Sequence, residues 1–108
     1  MDEDYFQSAF ENVKKVTIFS GRSIEDEMSK IHTVLNNSKA DWNLRVDNLM
    51  MVRALIVAGA GQYDELQACL KSLEYPFESC VKDLRSQVVR ECCITIAYIS
   101  QTLRNKVT

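Results

Sequence analysis

The sequence predicts an all-α chain of stacked helix pairs, and three observations carry that prediction. Helix-breaking punctuation is sparse, with three glycines and one proline among 108 residues. Apolar residues recur at intervals of three and four over most of the chain, the spacing of a helical face. Two consecutive stretches also follow one plan: an amphipathic helix, a polar connection, then a longer and more apolar helix.

Segment 4–13 places Tyr5, Phe6, Ala9, Phe10 and Val13 at helical spacing and reads as an N-terminal helix. A short extended piece, VTIF, follows at 16–19. Ser23 is the expected N-cap of the next helix, with Asp26 three residues on. Ile24, Met28, Ile31 and Leu35 give that helix a narrow apolar stripe, and Asn36, Asn37 and Ser38 end it. Asp41 is the next N-cap candidate, for a helix running to the AGAG at 58–61. Leu49, Met50, Met51, Val52, Leu55, Ile56 and Val57 leave it few solvent directions, so several neighbours must cover it. Arg53 projects into that apolar arc and is expected to pair with a carboxylate.

Residues 62–74 read as a fourth helix, with Tyr63, Leu66, Leu70 and Leu73 on one face and Pro76 as its terminator. FESCVKDLR at 77–85 reads as an irregular turn or short helix. The last helix runs from Ser86 to about Arg104. Val88, Cys92, Ile96, Ile99 and Leu103 define one arc of it, widened by Val89, Cys93 and Ala97, while Ile94 and Tyr98 sit nearly opposite. Two apolar faces mark an inner helix of a stack, and they predict an open C-terminal end through which this segment self-associates. The units 23–59 and 62–104 match an α-helical repeat of about 40 residues, the HEAT/armadillo range. The expected fold is therefore an all-α HEAT-repeat α-solenoid of about two helix-pair repeats plus an N-terminal helix.

Composition narrows the function. Hydrophobic residues are 46% of the chain, charged residues 26%, and the net charge is -2, so nothing draws the whole molecule to nucleic acid or a membrane. No apolar run reaches the roughly 18 residues of a membrane span, and the acidic start MDEDYF is unlike a signal peptide, which predicts an intracellular protein. Cys69, Cys80, Cys92 and Cys93 contain no CxxC pair, and His32 is the only histidine. The cysteines are read as reduced core thiols, with no metal and no cofactor. The AGAG at 58–61 follows a helix, the wrong context for phosphate binding. His32 flanks an apolar stripe and reads as structural, and the acidic run 25–27 reads as solvated charge in a first helical turn. A non-enzymatic protein is expected.

What remains is the pattern of the connections. Lys39 and Arg45 surround Trp42 in the first, and Lys82 and Arg85 occupy the second, with Arg90 one turn on. Stacked helix pairs set equivalent turns side by side, so these residues predict a basic strip with one aromatic along an edge. Trp42 has two readings, a staple beneath the preceding helix or an exposed contact.

The strings 41-DWNLRVDNLMMVRALIVAGAGQYDE-65 and 82-KDLRSQVVRECCITIAYIS-100 resemble the N-terminal part of a TOG domain of the CLASP (Orbit/MAST) family of microtubule-associated proteins. With the FxxV…IFS lead-in at 10–20, the likeness is strongest to that family's second TOG domain. The resemblance implies a paddle of HEAT repeats that meets tubulin with the turns along one narrow edge. Residues 1–108 would be its N-terminal part: a bracing segment at 4–19, a first repeat at 23–59 and a second at 62–104. It implies tubulin contacts at Trp42 and Lys82, with Arg85 and Ser86 flanking, beside the Lys39 and Arg45 of the basic strip. It also implies stabilisation, pausing and rescue of microtubules, and a cytoplasmic, cytoskeletal location at plus ends, spindle and kinetochore. Only about two of the family's six repeats are covered. The competing expectation is a HEAT scaffold whose protein partner is not tubulin.

Overall fold

The structure, a computed structural model, describes residues 3–11 and 13–107, with the side chains of residues 3, 10, 11 and 104–107 outside the description. Phe10, assigned above to the first helical face, is among those side chains. The described residues form helices and connections, with no strand. The helices are α1 (Glu3–Glu11), α2 (Gly21–Leu35), α3 (Trp42–Val57), α4 (Glu65–Ser72), α5 (Glu74–Val81) and α6 (Ser86–Val107), with a 3-10 turn at Ala60–Gln62. This is the HEAT-type helical solenoid. One layer is α2 followed by α4 and α5, the other is α3 packed on α6, and α2 covers α3 as α5 covers α6. The extended piece 14–20 has no regular structure, and α1 lies against α3.

The apolar patterns explain the layers. Ile24, Met28, Ile31 and Leu35 are all buried in α2, each worth roughly 1.5–3 kcal/mol relative to exposure. They meet Leu49, Val52, Leu55 and Ile56 of α3 and Leu66, Leu70, Leu73 and Phe77 of the α4–α5 stretch in one core. Two glycines matter. Gly59 follows the last turn of α3 at φ +102, a conformation that ends a helix cheaply only without a side chain. Gly21 is buried, and a Cβ there would lie 2.1 Å from the carboxyl of Glu65, so the start of α2 closes directly onto the start of α4.

Several details differ from the sequence reading. The N-cap of α2 is Ser20 rather than Ser23: Ser23 sits at the third helical position and exchanges hydrogen bonds with Ser20, each backbone N–H donating to the other's Oγ at 3.3 Å. The acidic run 25–27 therefore falls in the second turn. Pro76 does not end a helix. It lies in the first turn of α5, where its missing N–H has no helical acceptor to lose, and the helix breaks earlier, at Leu73. The stretch 77–85, expected as an irregular turn or short helix, is helical through Val81.

The faces of α6 also change. Glu91, Ile94, Thr95 and Tyr98 form one stripe, and its Glu91 and Thr95 face Arg53 and the Leu49 carbonyl of α3, so Ile94 is buried rather than part of a free face. Cys93 and Ala97, placed above in an apolar arc, are exposed. The open apolar surface lies elsewhere, in a groove of about 540 Å³ lined by Leu70, Phe77, Ile96, Ile99 and Leu103.

Candidate docking edge

The connections 36–41 and 82–85 lie on the same edge of the stack, and named bonds hold them together. In the first, Asn37 Oδ1 accepts from Lys39 N at 3.0 Å and the Asn37 carbonyl accepts from Ala40 N at 3.1 Å. In the second, Lys82 N and Asp83 N donate to the Ser79 and Cys80 carbonyls at 3.3 and 3.1 Å. Asp83 is the centre of the edge. Its carboxylate accepts from Arg85 N and Arg85 Nε, both at 2.8 Å, and from Arg85 Nη2 and Arg45 Nη1, both at 2.7 Å. Arg45 also donates to the Leu35 carbonyl at 2.7 Å and Ser79 Oγ at 3.1 Å, while Arg85 Nη1 donates to the Ala40 carbonyl at 3.2 Å. One carboxylate thus joins the end of α2, the start of α3, the end of α5 and the start of α6. The Arg85 guanidinium, seconded by Arg45, holds the Asp83 carboxyl well below the ordinary carboxylate range.

The strip expected from sequence divides on this geometry. Trp42 is the first residue of α3 and is 45% exposed. Lys39 and Ser86 are exposed, and so is Lys82, which pairs with Glu78 at 2.9 Å one turn back on α5. Arg85 is partly exposed and pinned to Asp83. Arg45 is the correction: its side chain is 1% exposed and belongs to the interior of the edge, because it points back toward the end of α2 and bonds there. It supports the strip and does not present a charge to a partner. Arg90 turns away as well, its guanidinium lying 5.4 Å from the Tyr5 ring centroid.

Sequence reasoning misses three participants. Asp83 hides inside an apparently irregular segment. Leu84 is fully exposed at the tip of the second turn, and Tyr75 of α5 is largely exposed beside it. A leucine between two charged residues of a polar turn, without a helical stripe to join, is the available signal.

Elsewhere the expected pairing of Arg53 is present. Its guanidinium forms a buried ion pair with Glu91 and donates to Thr95 Oγ1 at 3.0 Å. Cys80 and Cys92 are buried in the core, whereas Cys93 is exposed and Cys69 half-buried. The contact between Cys80 and Cys92 pushes Cys92 up, burial adding to it, and lowers Cys80. Both thiols are sealed from solvent, so neither can meet a substrate. Among the described residues no cluster of three His, Cys, Asp or Glu side chains is placed to hold a metal, and no helix is long and apolar enough to cross a membrane.

No family model matches the chain. Individual proteins do. It is 44% identical over 106 residues, 98% of its length, to CLIP-associating protein 1-A of Xenopus laevis. It is 42% identical over 103 residues, 94% of its length, to the CLIP-associating protein of Drosophila melanogaster. To Protein CLASP-3 of Caenorhabditis elegans it is 41% identical over 96 residues, 87% of its length. The chain is homologous to CLASP proteins over nearly its whole length. It spans only 7% of the first two relatives and 10% of the third.

Proposed function

We propose that this chain, homologous to a short stretch of CLIP-associating proteins, is a tubulin-docking segment: the N-terminal part of a TOG domain, most like the second of its family. The observation that supports the reading best is the edge itself. Two turns are locked side by side through Asp83 and the Arg85–Ala40 bond, and they leave Lys39, Trp42, Lys82 and Ser86 open to a partner. Trp42 supplies an apolar anchor and Lys82 a charge-assisted contact to acidic tubulin. Arg85 orients the turn and offers its exposed flank. The mechanism is binding without turnover, and in the whole protein it favours stabilisation, pausing and rescue of microtubules at plus ends, spindle and kinetochore.

The test is co-sedimentation with microtubules at two salt concentrations, for this chain and for one extended C-terminally along the relatives' sequence. Salt-sensitive binding that Trp42→Glu abolishes with helicity intact supports the reading. Lost helicity in that variant returns Trp42 to the core and sinks the contact model. A second reading has its own observation, the open groove of Leu70, Phe77, Ile96, Ile99 and Leu103, which suits a scaffold whose protein partner is not tubulin. Unchanged microtubule affinity in a Lys82→Glu, Arg85→Glu variant favours that scaffold.

A further inference from the structure

The edge carries an apolar element that the basic strip does not contain. Leu84 is 101% exposed, yet its loop is fixed, since Asp83 before it and Arg85 after it are tied to each other and to Arg45 and Ala40. A leucine held out by a fixed loop loses little conformational freedom when a partner covers it. Tyr75, 72% exposed, stands in the first turn of α5. With Leu84, Lys82 and Ser38 it lines a groove of about 640 Å³ between the two turns. Neither residue contributes to the core, so the fold gives no reason for an aliphatic and an aromatic side chain on one groove.

We propose that Leu84 and Tyr75 form an apolar anchor site that receives an apolar side chain bordered by carboxylates. This rests on the tubulin reading and deepens it: the occupant is such a side chain on the tubulin surface. The charges around the groove argue for that chemistry. Lys82 and the exposed flank of Arg85 border it, and Lys39 stands on the neighbouring turn. Two guanidiniums share the single Asp83 carboxylate, which leaves one positive charge uncompensated at the groove, while Lys82 is paired with Glu78. Apolar contact would supply short-range affinity and the rim cations the orientation, the usual division in an interface with a small hot spot.

Tubulin affinity of the 108-residue chain, measured by thermophoresis at low and moderate salt, tests the site in Leu84→Ser, Tyr75→Ser, Lys82→Glu and Trp42→Glu. Leu84→Ser is expected to weaken binding about tenfold or more at both salt concentrations. Its thermal melting should match that of the wild type, since the leucine side chain is fully exposed. Lys82→Glu should weaken binding most at low salt and flatten the salt dependence. If Trp42→Glu weakens binding while Leu84→Ser and Tyr75→Ser bind as the wild type does, the anchor site is overturned and the tubulin reading stands. A folded wild type that binds no tubulin, either as this chain or extended C-terminally along the relatives' sequence, overturns both.

Discussion

Arg45 and Arg53 lie two turns apart on α3, each 1% exposed, and each reaches a carboxylate 38 residues further along the chain. Their chemistry is the same and their surroundings are not. The Arg53 centre is closed: Glu91, Thr95 and the backbone of α6 take its donors, and α1 lies over it through the Ala9 carbonyl and Tyr5. The Arg45 centre is at the rim, where Asp83 takes a second guanidinium from the turn itself. Trp42, Lys82 and Leu84 stand open around it. One ion pair fixes how the inner helices pack, and the other fixes the shape of a surface.

The largest effect is expected at the closed centre. Glu91→Ala leaves the Arg53 charge buried without its counter-ion, a loss of about 3–5 kcal/mol. For a chain of this size that removes much of the total stability. Urea denaturation should show the midpoint collapse. A loss no larger than that of a surface substitution would mean that water or a shifted carbonyl serves Arg53 equally well.

Asp83→Asn should cost less, about 1.5–3 kcal/mol, because Arg45 keeps the Leu35 carbonyl and Ser79 while Arg85 reaches solvent. The comparison sharpens in the binding assay. Asp83→Asn unpins the second turn and should lower tubulin affinity even where the chain is fully folded, since Leu84 and Lys82 lose their fixed positions. Titration gives the same contrast. Asp83 has its carboxyl depressed by folding, so its contribution is complete above the ordinary carboxylate value near pH 4 and is lost as pH falls toward its own pKa. The wild type should therefore lose stability below about pH 4 more steeply than Asp83→Asn does.

These two centres also show what the sequence made legible. Arg53 interrupts an otherwise apolar helix, and a charge with no solvent direction must have a partner, so its ion pair follows from the helical pattern alone. Arg45 sits one turn into its helix, with Asp41 and Asn48 before and after it on the same face, which reads as surface. Only the fold brings Leu35, Ser79 and Asp83 around it, from residues 10, 34 and 38 positions away. The helix pairs were legible through Ile24, Met28, Ile31 and Leu35 and through the run at 49–57. The break at Leu73 was not, because Pro76 looks like a terminator unless the next helix is known to begin at Glu74. Ile94 and Tyr98 marked the second face of α6, but nothing in the pattern showed that Glu91 and Thr95 beside them close that face onto Arg53 and the Leu49 carbonyl.

The smallest effect probes how far α1 belongs to the closed centre. The Tyr5 hydroxyl donates to Glu91 Oε2 at 2.9 Å, across 86 residues of sequence. Tyr5→Phe removes that donor and leaves Glu91 with Arg53, so the expected loss is only about 0.5 kcal/mol, at the low end for a partly exposed bond. The pH dependence is more telling than the size. The hydrogen bond to Glu91, helped by burial and the carboxylate charge, raises the Tyr5 pKa above 10. A raised folded pKa means stability that is whole below about pH 10 and lost as pH rises through the folded value. Wild type and Tyr5→Phe should therefore converge in stability at strongly alkaline pH and differ at neutral pH. Identical stabilities at both would mean that α1 rests on its apolar contacts alone, and that the Arg53 pair is complete without it.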